Sequence, residues 1–261
     1  MKILIEQSAA KDGFLAVLNK LGHRVMVYEP TTKPPFDAFD EFMPDIYIGL
    51  DEEDRPCHRA VNKCLGEYKR IKSFYPTPEF LCAADTINAP SEYIEPSLKA
   101  DVVFIGDYSP AFDKYIAPLT GTNVKLKVFG RGWNIPEAVG GLALNRAGNA
   151  LSSAEIALNL EGPGMSPYLY QILISGTCCL SVPLTDCPTK AVEYFSSPKQ
   201  LVESVAKLLS DNKRRLGTGL AARLDVLDGD TYFHRVAKMF QVIGMQAEAE
   251  RTLSLHVNQG L

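Results

Sequence analysis

The sequence predicts an α/β protein of two lobes with mostly parallel sheets and a helical C-terminus, and three observations carry that expectation. Short β-branched runs alternate with amphipathic stretches over the first ninety residues, a second alternation of the same kind starts at Asp101, and from Pro198 onward the pattern is helix after helix. At 261 residues the chain exceeds a typical single domain of about 100–150, so two small domains or one large one are both ordinary. Hydrophobic residues make up 46% and charged residues 22%, which is the composition of a chain that buries a core and not of a fibrous or disordered one.

In the first lobe, Lys2, Ile3, Leu4 and Ile5 read as a strand, residues 13–21 as a helix stopped by Gly22, and residues 24–28 as a second strand. Pro34 and Pro35 open a segment with Phe36, Phe39 and Phe42 at three-residue spacing, expected as core, and residues 45–50 follow as a third strand. A helix over 55–65 leads to residues 70–74, after which Pro76 and Pro78 interrupt the chain. Residues 88–96 are polar and carry Pro90 and Pro96; they form the expected linker, with domains at 1–95 and 96–261.

Beyond it, residues 101–105 are a near-continuous apolar run, the pattern of a strand covered on both faces, and it stops at Gly106, Asp107, Tyr108, Ser109. Strands over 124–129 and 155–160 run into Gly130, Arg131, Gly132, Trp133 and into Glu161, Gly162, Pro163, Gly164. Ligands of open α/β sheets sit beyond the carboxyl ends of the strands, so these three loops outline one rim. A helix over 167–175 ends at Gly176 and a buried strand over 178–182 follows. Helices are expected over 198–209, 212–227 and 231–243, with a last one ending near His256.

Charge and rare residues narrow the function. Net charge is −4, and Lys213, Arg214 and Arg215 lie on a helix where a solvated face is the expected role. Residues 1–6 enter a strand without a signal-peptide pattern and no stretch approaches the ~20 apolar residues of a membrane span, so a cytoplasmic chain without membrane insertion is expected. None of the six cysteines forms a two-residue-spaced pair and none of the four histidines belongs to a helical metal motif or a nucleophile elbow. Reduced thiols and no metal site are therefore expected. No glycine-rich dinucleotide fingerprint follows the first strand and no Walker motif is present, which removes the main support for NAD and ATP chemistry.

The loop of Asn159, Leu160, Glu161, Gly162, Pro163, Gly164, Met165 and Ser166, followed by Tyr168, Tyr170 and Gln171, has two readings. Glycine backbone and the unpaired N–H groups of the next helix suit a diphosphate, or the segment is a tight strand-to-helix turn without a ligand. Arg131, between Gly130 and Gly132, presents a forked cation suited to phosphate oxygens. Trp133, the sole tryptophan, either stacks on a base or fills the lobe interface. Asp107 either accepts from a ligand hydroxyl or caps the next helix, and Asp230 is the expected N-cap before His234.

Several of these residues together resemble the CgeB-like glycosyltransferases: Val103 to Gly106, Val128 to Trp133, Ile156 to Asn159, the turn at Ser175, Gly176 and Thr177, and Thr231 to Arg235. That family is similar to glycosyltransferase family 4. The resemblance implies the GT-B fold, two Rossmann-like lobes with a nucleotide-diphosphate sugar, most simply a UDP-sugar, held mainly by the second, and retention at the anomeric carbon. It implies no further cofactor. Where the family carries a ribose-gripping glutamate with an arginine one turn earlier, this chain has Gln171 and Tyr168. The compact first lobe resembles that of phage-type transferases acting on hydroxymethylated DNA bases.

On this reading the donor sits between the lobes. Arg131 and Glu161 are the catalytic candidates, and Gly106, Asp107, Tyr108, Gly130, Gly132, Asn159, Gly162, Gly164, Met165, Ser166, Tyr170 and Gln171 bind the donor. Arg131 and the helix start near Ser166 stabilise the departing diphosphate. The alternative is a GT-B-like binding or regulatory partner without catalysis.

Overall fold

The computed structural model describes residues 1–7, 11–29, 31–49, 56–77, 80–87, 94–142, 144–162 and 166–257, without the side chains of 56–58, 144 and 145. The chain divides into two compact units, one of Met1–Ala83 with Thr231–Leu261 and one of Ala84–Asp230. Each is Rossmann-like, a parallel sheet flanked by helices. Among the described residues no helix is long and apolar enough to cross a membrane.

The first unit holds β1 (Lys2–Glu6), α1 (Asp12–Lys20), β2 (Arg24–Tyr28), α2 (Pro35–Phe42), β3 (Ile46–Ile48), α3 (Pro56–Glu67) and β4 (Lys72–Phe74). The sheet order is β2-β1-β3-β4, with Leu4 paired to Met26 on one side and to Tyr47 on the other, all parallel. Ile3, Leu4 and Ile5 are fully buried, as a central strand covered on both faces requires. Phe39 and Phe42 are core and Phe36 packs against them, as their spacing predicts.

The second unit holds β5 (Ala100–Ile105), α4 (Pro110–Ile116), β6 (Leu126–Phe129), β7 (Ala138–Gly140), α5 (Leu144–Ser152), β8 (Ala154–Asn159), α6 (Pro167–Ser175), β9 (Cys178–Ser181), β10 (Glu193–Tyr194), α7 (Pro198–Ser210) and α8 (Asn212–Gly229). Its sheet runs β10-β9-β8-β5-β6-β7, again all parallel. Val102, Phe104, Val128, Ile156, Leu158 and Leu180 form its core with Leu201 and Val205 of α7. Cys178 and Cys179 are buried in β9, and burial pushes the Cys178 thiol up to about 12.

Three expectations are corrected. The C-terminal segment does not stay with the second lobe: α9 (Tyr232–Val242) and α10 (Gln246–Val257) pack in the first unit. Phe233, Val236, Met239 and Phe240 are buried there, the Phe240 ring meets His23 edge-on at 5.6 Å, and Arg251 donates to the Leu21 carbonyl at 2.9 Å. Nor is the boundary at 95, since the Glu95 amide bonds Ser153 Oγ at 2.8 Å and its carboxylate pairs with Arg146, both in the second unit. Of the expected linker, residues 88–93 lie outside the described residues.

Second, Thr231 and not Asp230 caps α9, in a capping box with His234, whose Nδ1 accepts the Thr231 N–H at 3.3 Å. Third, the basic cluster is not one solvated face. Arg214 bonds Glu193 through two nitrogens at 2.7 Å each. Arg215 is buried, with Glu155, the Leu208 carbonyl and Asn212 satisfying its guanidinium. Lys213 alone remains solvated without an ion-pair partner among the described residues.

Candidate functional site at the carboxyl edge of the second sheet

After β5 the chain moves to β6 on one side and later to β8 on the other, so the strand order reverses at the β5/β8 pair. Loops leaving adjacent strands in opposite directions open a crevice there, where α/β sheets receive ligands. The loops after β5, β6 and β8 are the three that the sequence singles out.

Two of them are stitched together. The Gly106 amide donates to the Phe129 carbonyl and the Tyr108 amide to the Arg131 carbonyl, each at 2.8 Å. Trp133 Nε1 donates to the Gly106 carbonyl at 2.8 Å, and its ring packs edge-on against Phe104 and Tyr108, with centroids 6.0 and 5.2 Å apart. Trp133 thus packs within its own unit. Gly130 is required at the crossing, because its φ is +149° and a Cβ there would lie 2.0 Å from the Gly106 carbonyl oxygen.

Asp107 does not cap α4; Ser109 does, accepting from the Phe112 amide at 3.3 Å. Instead the Asp107 carboxylate accepts from the Arg131 backbone amide at 2.8 Å, from Nε at 3.0 Å and from Nη2 at 2.7 Å. These bonds hold the Asp107 carboxyl below its usual range and raise Arg131. The forked cation at 131 is therefore engaged by Asp107. The backbone amide is occupied, the pair is neutral overall, and of the five guanidinium N–H groups two face the carboxylate, leaving three outward.

On the other flank, Asn159 ends β8 and is buried. Its Nδ2 donates to Ser181 Oγ on β9 at 3.0 Å, and its Oδ1 is buried without a partner among the described residues. Glu161 is half-buried and Gly162 exposed, while Pro163, Gly164 and Met165 lie outside the described residues. Ser166 caps α6 by accepting from the Leu169 amide at 3.1 Å, and its carbonyl takes the Tyr170 amide. Pro167 has no N–H, so the first turn of α6 keeps only the Tyr168 amide for an anion, fewer donors than an uncapped helix presents.

The Tyr168 phenol oxygen accepts the Ile105 amide at 3.2 Å, tying α6 to the end of β5 across the reversal. Burial pushes this phenol up, and the Glu161 carboxylate adds to the shift. Gln171, one turn further along α6, is half-buried and has no side-chain hydrogen bond among the described residues. Tyr170 is corrected: it is 2% exposed, its hydroxyl directed 3.4 Å from Asp230 Oδ1, so it belongs to the interior and not to the rim. The structure thus brings Asn159, Glu161, Tyr168 and Gln171 to one flank and Gly106 to Tyr108 with Gly130 to Trp133 to the other.

Sequence reasoning misses Ser181, inside an apolar strand, whose signal is a hydroxyl at the carboxyl end beside the reversal. It also misses Glu6. In the first unit the order reverses between β1 and β3, and there the buried Glu6 carboxylate accepts from the Tyr47 hydroxyl at 2.9 Å. Burial and then Glu6 push the Tyr47 phenol up.

Against known proteins, residues 113–241 match the family model described as glycosyl transferase-like, a little under half of the chain. No curated protein matches in sequence. Among solved structures, the DNA-modifying enzyme β-glucosyltransferase, studied with and without uridine diphosphoglucose, superposes with a TM-score of 0.55 at 11% identity, over 97% of this chain and 100% of that one. An α-glucosyltransferase in complex with UDP and a 13-mer DNA containing an HMU base gives 0.56 at 11% identity, over 93% and 99%. HepE of Anabaena in complex with UDP and glucose gives 0.53 at 10% identity, over 97% and 99%. At these identities the likeness is one of fold, and the fold of this chain is GT-B-like.

Proposed function

We propose that the protein is a glycosyltransferase that moves a sugar from a nucleotide-diphosphate donor, a UDP-sugar, to an acceptor hydroxyl. The observation that carries the proposal is the reversal crevice of the second unit, where backbone turns and unsatisfied polar groups converge. The Gln171 amide, the Tyr168 amide and the buried Asn159 Oδ1 are free among the described residues to bond a nucleotide. The family model matching residues 113–241 supports sugar transfer, and solved neighbours of the same fold carry UDP.

In this mechanism Gln171 bonds a ribose hydroxyl, Glu161 orients the sugar, and the outward N–H groups of Arg131 meet the diphosphate as negative charge grows on it. Such preorganised donors lower the barrier most where charge develops. Two of the neighbours are DNA-modifying or DNA-bound, which favours a hydroxymethylated base as acceptor. The test is turnover of UDP-glucose, with transferred mass read on hydroxymethylated DNA and on a panel of small alcohols. Transfer to DNA alone supports the full proposal, transfer to small alcohols alone removes the DNA acceptor, and no UDP release with any donor removes the enzyme.

A second reading is a binding protein that has kept the crevice and lost the chemistry. Asp107 on Arg131 and the filled cap of α6 favour it, because both reduce the positive field available to a diphosphate. It predicts UDP binding by calorimetry without turnover.

A further inference from the structure

Helix α8 carries an apolar seam that its own unit leaves open. Leu216, Leu220 and Leu224 recur every four residues and are 58, 57 and 56% exposed, the only exposed leucines among the described residues. Single exposed leucines are ordinary, but a contiguous row marks an interaction surface. The helix is fixed in rotation by its opposite face, where Arg215, Gly219, Ala222 and Val226 are buried. A Cβ on Gly219 would lie 2.0 Å from the Gly176 carbonyl, and Arg215 is held by Glu155 and two backbone carbonyls, so the seam has no inward alternative.

We infer that this seam is the interface with a second copy of the chain, the two α8 helices running antiparallel across a two-fold axis at Leu220. In that register Leu220 meets Leu220 of the second copy, and Leu216 meets Leu224 of the second copy at either end. Exposed Gly217 and Ala221 beside the leucines let the helix backbones approach. Charge selects the direction. Lys213 opens the helix and Asp228 closes it, both exposed and both without an ion-pair partner among the described residues. Antiparallel pairing sets each Lys213 beside Asp228 of the other copy, whereas parallel pairing sets lysine against lysine. One patch serves both copies, as a two-fold interface requires. Three leucines fall short of the ~800 Å² per partner of a standard interface, so the dimer is concentration-dependent.

Sedimentation velocity on the full chain across the micromolar range tests this. The expected result is a rise toward twice the chain mass, abolished by Leu220→Glu and, independently, by Leu216→Gln with Leu224→Gln, at unchanged melting temperature. Lys213→Glu or Asp228→Lys alone weakens the dimer, and the two combined in one chain restore it. A wild-type chain that stays monomeric throughout, or a dimer that survives Leu220→Glu, overturns the inference; failure of the double reversal to restore association overturns the antiparallel register.

Discussion

Gly130→Ala tests whether the stitched loops after β5 and β6 are as tight as they stand. Two independent costs arise. The backbone at 130 has φ +149°, a region that residues with a side chain rarely adopt, and holding one there costs about 1–3 kcal/mol. The new methyl would also sit 2.0 Å from the Gly106 carbonyl oxygen and 2.9 Å from the Asp107 nitrogen, both backbone atoms that cannot rotate away. Overpacking of that kind costs about 1–3 kcal/mol more, so the sum is about 2–6 kcal/mol. Against a typical total of about 5–15 kcal/mol this is a large fraction.

Trp133 is the sole tryptophan and bonds the same Gly106 carbonyl, so its fluorescence reports the unfolding of this junction without contribution from the other unit. Urea titration followed at Trp133 should show a clearly lowered midpoint and a red-shifted native spectrum. Gly162→Ala is the control, since a Cβ there meets nothing within 4 Å and its φ is unremarkable. A Gly130→Ala midpoint within error of wild type would refute the close crossing, and with it the argument that the two loops form one rigid flank.

Gln171→Glu should tighten UDP binding about two- to tenfold by calorimetry, because a carboxylate bonds a ribose hydroxyl about twice as strongly as an amide does. Asp107→Asn should tighten UDP binding a few-fold at most by releasing the exposed Arg131 fork, and Arg131→Ala should weaken it; equal affinity in all three proteins removes Arg131 from the site. His23 is lowered below its ordinary value first by burial, with the Met1 amino group and Arg251 adding and Glu248 opposing. The folded state then binds fewer protons than the unfolded one, so stability falls as pH drops through about 6.5. Thermal melts of wild type should show that loss and melts of His23→Gln should be flatter.

The strand pattern was legible because parallel strands buried on both faces read as short apolar runs, and β1, β5, β8 and β9 lie within a residue or two of where the pattern puts them. Elements without such a run were not legible. Strand β7 has the sequence Ala138, Val139, Gly140 on an edge, β10 has two residues, and α5 lies in a stretch in which the pattern singles out no element. The return of α9 and α10 to the first unit escaped for a different reason. Phe233, Val236 and Phe240 announce that a helix face is buried, and a periodic pattern carries no information about which sheet buries it.

The same limit governs the site. Glycines at 106, 130 and 132 were visible because backbone requirements are written in single residues. Pairing is not. Asp107 and Arg131 stand twenty-four residues apart, and each alone reads as a ligand group or a cap; only the parallel register of β5 with β6, Ile105 beside Phe129, makes them partners. That register turns a forked cation into half of a neutral pair. On the proposed function, a donor diphosphate either displaces a carboxylate from an exposed arginine, which exposed pairs permit at small cost, or binds beside it on the three N–H groups left outward. Asp107→Asn separates these routes through the salt dependence of UDP affinity. Displacement predicts that the wild type loses affinity with salt less steeply than Asp107→Asn, because salt weakens the internal pair as well, and binding beside it predicts parallel losses in both proteins.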